Sequence, residues 1–312
     1  MKDRYVLVTA ARNEEAHIER TIRSVIAQTL LPQKWVIVSD GSTDRTDSIV
    51  KRYAAEHDFI ECLRLEPGGT RDFACQVYGQ HAGAQRLQDI EYDFIGMLDA
   101  DISFKPDYYR RLLEEFKRHP AVGLAGGVLF DLYDGQWIRQ RVNVSLNVSG
   151  PVQMFRRKCF EDIGGYIPLK KGGQDAVAEV MARMHGWEVA SFSNLEVMHH
   201  RPTGTEGKSI HRVRFLQGSM QYLLGYHPLF LIAKCLSRIS EKPYLTGSVL
   251  SFCGYGWSWL CRDVRVVSPE FIQYIRHEQI QRMRLSALCR TPRVGKTPPV
   301  HPDPMAQPGS NS

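Results

Sequence analysis

The chain has no Cys-x-x-Cys pair, and its seven cysteines are odd in number and scattered. This excludes a zinc ribbon and a disulfide framework and fits a reducing cytoplasm. No internal repeat and no nucleic-acid-binding module is visible. The net charge of +6 over 312 residues is modest, and such a basic excess suits anionic lipid and phosphates better than nucleic acid. There is no signal-peptide pattern, since Met1-Lys2-Asp3 leads directly into a strand-like run. What is present is a hydrophobic content of 43%, enough for one domain of roughly 200 residues with a smaller appendage.

Apolar runs alternate with amphipathic stretches through the first hundred residues. Arg4 to Ala10 is strand-like and breaks at Arg12-Asn13-Glu14-Glu15, after which Ile18, Ile22, Val25 and Ile26 recur at helical spacing. Trp35 to Ser39 is a second short run that ends in Asp40-Gly41-Ser42-Thr43-Asp44, and Ile49, Val50 and Tyr53 mark the helix that follows. Ile60 to Leu65 and a helical stretch over about 73–87 form a third unit, before the strand Tyr92 to Leu98. Such alternation predicts an α/β protein with a doubly wound, mostly parallel sheet whose polar turns converge on one edge.

Asp99-Ala100-Asp101 follows the fourth apolar run directly. Two carboxylates at i, i+2 beyond a strand's carboxyl end sit where open α/β sheets build their sites, and they suit a divalent cation that carries phosphates. The ordered set Ala10-Ala11-Arg12-Asn13-Glu14-Glu15, Asp40-Gly41-Ser42-Thr43-Asp44 and Asp99-Ala100-Asp101 resembles the motifs of family-2 nucleotide-sugar glycosyltransferases. The resemblance continues through Gly150 to Arg157 and Ile163-Gly164-Gly165-Tyr166 to Gln174-Asp175, covering about the first 200 residues. It implies a GT-A (Rossmann-like) fold and inverting transfer of a sugar from a nucleotide donor, with a UDP-sugar favoured over GDP- or dTDP-sugars. The acceptor expected is a hydroxyl of a polysaccharide or lipid-linked oligosaccharide.

On this reading Ala10, Ala11, Arg12, Glu15, Asp40, Arg71 and Asp99 contact the nucleotide. Glu15 and Asp40 can accept hydrogen bonds from ribose hydroxyls or a base N–H, although Asp40 or Ser42 can equally cap the second helix and Glu14 and Glu15 can complement the dipole of the first. Arg71 either reaches the diphosphate or is a solvated loop arginine. Asp99 and Asp101 are expected to hold Mg²⁺ or Mn²⁺, with a third ligand from His199-His200; strand alternation puts one histidine on each face, and His200 is taken as the inward one. Asp175 is the candidate general base, at a helix N-terminus whose dipole favours the ionised carboxylate. The family usually has Glu-Asp where this chain has Gln174-Asp175, which alters the local charge. Arg201, Arg212 and Arg214 are assigned, with Gln174, to an acceptor or phosphate loop; the alternative is a basic loop that faces solvent or lipid.

The Gln-x-x-Arg-Trp motif of processive relatives is missing, which points to addition of one sugar. Two other functions fit parts of the pattern. A sugar-nucleotide pyrophosphorylase shares the architecture but needs a glycine-rich phosphate loop after its first strand, and a catalytically inactive nucleotide-binding subunit would accommodate Gln174. Beyond residue 215 the sequence changes character. Residues 216–290 read as a helical region, and 291–312 as a disordered tail. Tyr244 to Cys261 is uncharged and about as long as a membrane span, yet its serines and glycines weaken insertion. With Trp257, Trp259 and flanking Lys234, Arg238, Lys242 and Arg262, the region reads as a monotopic membrane-associated appendage at the inner face of the cell membrane; the alternative is a helical subdomain packed on the catalytic sheet.

Overall fold

The computed structural model describes residues 3–66, 72–133, 135–140, 144–201, 209–239 and 244–288. Strands β1 (Tyr5–Ala11), β2 (Lys34–Asp40), β3 (Ile60–Leu65) and β4 (Phe94–Leu98) alternate with helices α1 (Ile18–Ile26), α2 (Thr46–Glu56) and α3 (Ala74–Gln85). The four strands are parallel in the order β3-β2-β1-β4. The chain winds outward from β1 to β3 and then returns to β1's other side, so the crevice beyond β1 and β4 is a topological switch point. Four further strands complete the path β4-β8-β6-β9-β5: β5 (Ile102–Phe104), β6 (Val122–Tyr133), β8 (Val152–Arg156) and β9 (Glu188–His199), with β7 (Gln136–Arg139) paired to β6. Of these, β6 and β9 are parallel, whereas β8 is antiparallel to both β4 and β6.

Strand alternation divides the core into two. Tyr5, Leu7, Trp35, Ile37 and Phe94 point to one face, where they pack on α1, α2 and α4 (Tyr108–Arg118). Val6, Val8, Val36, Val38 and Ile95 point to the other, against α3, α5 (Arg157–Asp162) and α6 (Gln174–Met184). Both faces are covered, which is why β1 and β2 read as continuous apolar runs rather than alternating ones.

The C-terminal helices α7 (Ile210–Leu223), α8 (Pro228–Ser237), α9 (Tyr244–Leu260) and α10 (Pro269–Leu288) lie beside α6. Leu224, Phe271 and Ile275 bury Val177 and Val180 of α6, so the region does pack on the α/β domain. Among the described residues no helix is long and apolar enough to cross a membrane. Gly247, Gly254, Ser251 and Ser258 of α9 face inward: Ser258 accepts or donates a hydrogen bond with Ser219 at 2.7 Å, and the Ser251 hydroxyl donates to the Arg214 carbonyl at 3.1 Å. A Cβ at Gly218 would lie 1.8 Å from the Ser251 carbonyl oxygen, and one at Gly254 would lie 1.9 Å from that of Phe215. Small residues therefore let two backbones touch, and apart from the buried Tyr255 the large aromatic side chains of α9 point outward.

Gly218→Ala is expected to force α7 and α9 apart at a cost of about 1–3 kcal/mol. Hydrogen exchange across residues 244–260 should accelerate selectively in this variant; unchanged exchange would show that the helix contact is not as close as described.

Candidate active site

The turn after β1 is laced to the turn after β2. Asn13 adopts a left-handed backbone with φ of 55°, its side-chain oxygen accepts from the Thr43 amide at 2.9 Å, and the Glu14 amide donates to the Thr46 hydroxyl at 2.8 Å. Ala10 and Ala11 end β1 as expected, with Ala11 buried. Arg12 and Asp40 meet across the gap between strands, Nη1 to Oδ2 at 3.4 Å. Glu15 is exposed and accepts from the Arg45 amide and guanidinium at 3.2 and 3.1 Å, so its carboxylate serves the start of α2. Neither Asp40 nor Ser42 is the N-cap of that helix, which is Arg45; Asp44, just before it, accepts from the Thr46 amide at 2.9 Å. Arg71 lies outside the described residues.

The densest electrostatics surround Asp101, which is buried. The Arg201 guanidinium bridges Asp101 Oδ2 and Glu14 Oε1, each at 2.8 Å. On the other side, His199 stands between two carboxylates, with Nδ1 at 2.7 Å from Asp131 Oδ1 and Nε2 at 3.5 Å from Asp101 Oδ1. Burial opposes charge on both groups, but their mutual contacts win. His199 is pushed up to about 9 because burial is outweighed by Asp101 and Asp131. Asp101 stays below the usual carboxylate range because His199 and Arg201 together outweigh its burial. Asp99 is pushed up to about 7, first by burial and then by the Asp101 charge, which outweigh the opposing charges of His199 and Arg201.

His199, rather than His200, faces Asp101. In the last part of β9 the buried positions are Leu195, Val197 and His199, as Val189 and Ser191 are earlier in the strand, and His200, one residue on, turns its Nε2 to the Ser103 hydroxyl at 2.8 Å. Burial, then the charges of Arg20 and His17, lower His200 to about 4. Two close carboxylates with an imidazole beside them form a donor set that fits a hard divalent cation. Among the described residues no three histidine, cysteine or acidic side chains are already arranged as a preformed cation cage, and His199 and Arg201 both direct positive charge or N–H at Asp101.

Asp175 sits in the first turn of α6, behind Gly173, whose φ is 91°. The N-terminal amides lower its affinity for a proton, as the dipole argument expects, but burial outweighs them and the net shift is upward. A side-chain relay joins this turn to the acidic pair: Gln174 Nε2 donates to Gln76 Oε1 at 3.3 Å, and Gln76 Nε2 donates to Asp99 Oδ1 at 3.1 Å. The buried Tyr166 phenol is raised by burial and then by the charges of Asp175, Asp99 and Glu179, so all three carboxyls surround one ring. Arg212 and Arg214 are carried on α7, and of these Arg212 is exposed.

Several of these groups were not singled out from sequence. Asp131 is the one charged residue in the apolar strand β6, which is a signal in itself. Gln76 is an ordinary helical glutamine and gives none. Glu179, one turn beyond Asp175, is buried and accepts from the Val148 amide and the Asn147 side chain, both at 2.7 Å.

These residues lie on a recognisable frame. The family model for glycosyl transferase family 2 matches residues 6–172, more than half of the chain. The chain belongs to that family. This family-2 glycosyltransferase is 21% identical over 236 residues to the poly-beta-1,6-N-acetyl-D-glucosamine synthase of Staphylococcus epidermidis, covering 69% of this chain and 54% of that protein. It is 29% identical over 118 residues to the synthase of the same name from Staphylococcus aureus strain COL, covering 38% of this chain and 26% of that protein. The chain thus spans about half, or less, of the curated relatives it matches. Among solved structures, S. aureus TarS in complex with UDP-GlcNAc gives a TM-score of 0.54 at 13% identity over 88% of this chain and 82% of that one. The mannosyltransferase PcManGT from Pyrobaculum calidifontis, in complex with GDP-Man and Mn²⁺, gives 0.53 at 16% identity over 92% and 81%. The fold of the family-2 transferase is accordingly GT-A.

Burial, then the Asp175 charge, push Glu179 up to about 8 against its hydrogen bonds. An unfolded glutamate ionises near pH 4.3, so folding retains a proton between that pH and about 8, and stability falls as pH rises through that window. Glu179→Gln should flatten this slope, with the wild type losing on the order of 2 kcal/mol more than the variant between roughly pH 5 and 8. Urea unfolding at both pH values measures it; parallel losses would mean that Glu179 is ionised in the folded protein.

Proposed function

We propose that this glycosyltransferase moves one sugar from a UDP-sugar to a hydroxyl of a polysaccharide or lipid-linked oligosaccharide, with inversion, using Asp175 as general base and a divalent cation at Asp99 and Asp101. The observation that carries this reading is the relay Asp99–Gln76–Gln174, which couples the candidate diphosphate end of the crevice to the turn that holds Asp175. The UDP preference draws support from the relatives named as N-acetylglucosamine polymer synthases and from TarS with UDP-GlcNAc. The PcManGT complex keeps a GDP-sugar in the comparison.

The chain's own residues divide the work. Ala10, Ala11, Arg12 and Asp40 line the nucleotide end, where small side chains allow close approach and the Asp40 carboxylate can accept from the ribose. Asp99, steadied by Gln76, and Asp101 would hold Mg²⁺ or Mn²⁺, with His199 beside them. When bound, the cation neutralises charge that develops on the departing diphosphate. Arg201, poised on Glu14 and Asp101, supplies a positive charge at the same end and leaves Asp101 ionised. Asp175 takes the proton of the attacking acceptor hydroxyl as its oxygen bonds to the anomeric carbon and the nucleoside diphosphate leaves from the opposite face. A raised Asp175 makes it a stronger base while requiring a pH high enough to ionise it, so turnover should decline on the acid side earlier than an ordinary aspartate would dictate. We place the protein at the membrane surface through the outward apolar side chains of α8 and α9, as a peripheral rather than spanning protein.

Nucleotide release from a panel of UDP-, GDP- and dTDP-sugars, with Mn²⁺, Mg²⁺ or chelator, tests the assignment. Asp175→Asn should cut turnover by about 10²–10⁴-fold while donor affinity changes little; turnover that persists in the variant would move the base elsewhere. A Cβ at Gly150 would lie 2.8 Å from Asp175 Oδ2. Gly150→Ala should therefore lower kcat by roughly tenfold or more with little effect on donor KM, and an unchanged kcat would mean that the carboxylate needs no fixed position.

A further inference from the structure

The starts of α3 and α6 are tied together beside the acidic pair. The Phe73 amide donates to the Lys170 carbonyl at 3.4 Å, and a Cβ at Gly172 would lie 3.4 Å from the Phe73 ring. This contact brings Gln76, in the first turn of α3, within hydrogen-bond range of Gln174, the first residue of α6. Both side chains are amides, so each has one end that only donates and one that only accepts.

The direction of the relay is therefore set from one end. A carboxylate that holds a cation is ionised and can only accept. Gln76 meets this condition by turning Nε2 to Asp99 Oδ1 at 3.1 Å, which leaves its Oε1 facing α6. Gln174 Nε2 donates to that oxygen at 3.3 Å. An acid of the same length at position 174 has no proton to offer once ionised. Gln76 would then turn its amide over, donate to the new carboxylate and present its own oxygen to Asp99, so that an attraction becomes a repulsion between lone pairs. We infer that Gln174 is a positioning residue for the donor side of the site: by fixing which way the Gln76 amide faces, it keeps a hydrogen-bond donor on the carboxylate of Asp99. This rests on the assignment of Asp99 as a cation ligand made above, and it gives a residue beside the candidate base a role in metal and diphosphate binding. Outer groups that orient a ligating side chain are worth about ten- to a hundredfold in metal affinity.

Calorimetric titration of UDP into the full chain, with Mn²⁺ and with chelator, tests the inference in variants first checked by melting temperature. Gln174→Glu should weaken UDP binding in Mn²⁺ by about tenfold or more and leave the affinity in chelator unchanged. The added negative charge would by itself attract the cation, so weaker binding identifies the turned amide. Gln174→Met removes the donor without turning Gln76 over and should lose only roughly twofold. Gln76→Met, an uncharged change at the other end of the pair, should match Gln174→Glu, and the two combined should bind no more weakly than Gln76→Met alone. Unchanged or tighter binding in Gln174→Glu, or unchanged binding in Gln76→Met, would overturn the inference and leave the cation assignment standing. Equal losses in Mn²⁺ and in chelator would also overturn it, because they would mark general damage to the crevice. Wild-type binding that is absent or indifferent to Mn²⁺ would overturn the cation assignment and the inference with it.

Discussion

The buried carboxylate of Asp101 is the constraint around which the site is organised. A charge withdrawn from water must be compensated or neutralised, and here compensation comes from two sides. Arg201 ties Asp101 to Glu14 in the turn after β1, and His199 ties it to Asp131 on β6. Segments distant in sequence are thereby drawn to the end of β4. Asp99, on which burial and the Asp101 charge outweigh the opposing charges of His199 and Arg201, is left with a raised affinity for a proton; a divalent cation held by these two carboxylates would relieve that repulsion.

The second half of the site hangs on α6. This helix is held on its inner side by the sheet and on its outer side by α7 and α10 through Val177, Val180, Leu224, Phe271 and Ile275. The C-terminal helices therefore support the helix that carries Asp175 as well as presenting an apolar surface. Glu179 and Gln153 extend the support: Gln153 donates to the Val148 carbonyl at 3.1 Å and accepts from the Tyr166 hydroxyl at 2.5 Å. The Val148 backbone, the Tyr166 ring and the turn of the candidate base are thus parts of one hydrogen-bonded unit through Gln153. Such a unit can hold a reacting group to the tolerance that transfer chemistry needs.

The parallel half of the fold was legible because each of its strands is an uninterrupted apolar run followed by a polar turn and a helix of clear periodicity. Strands β6, β8 and β9 were less so, since they pair antiparallel or across long sequence separations and their residues carry no local mark of that partner. Alternation left His199 and His200 equivalent in sequence; only the register that sets Ile102 opposite His199 separates them. The serines and glycines of α9 read as weak membrane insertion, whereas they make a close helix crossing with α7, a pairing that composition alone does not reveal. The raised proton affinity of Asp175 was also hidden, because a helix N-terminus is visible in sequence and the burial that opposes it is not. Arg71 and the stretch 202–208 lie outside the described residues.

We propose that Asp99 and Asp101 bind the donor's diphosphate through a divalent cation. The measurement that tests it most directly is calorimetric titration of UDP into the wild type and into Asp101→Asn, each with Mn²⁺ and with chelator, after confirming that the variant melts as a folded protein. The account predicts wild-type binding that weakens at least about tenfold, roughly 1.4 kcal/mol, when the metal is removed, and binding in the variant that is weak with or without it. Equal UDP affinity in all four titrations would contradict the account and separate nucleotide recognition from the acidic pair.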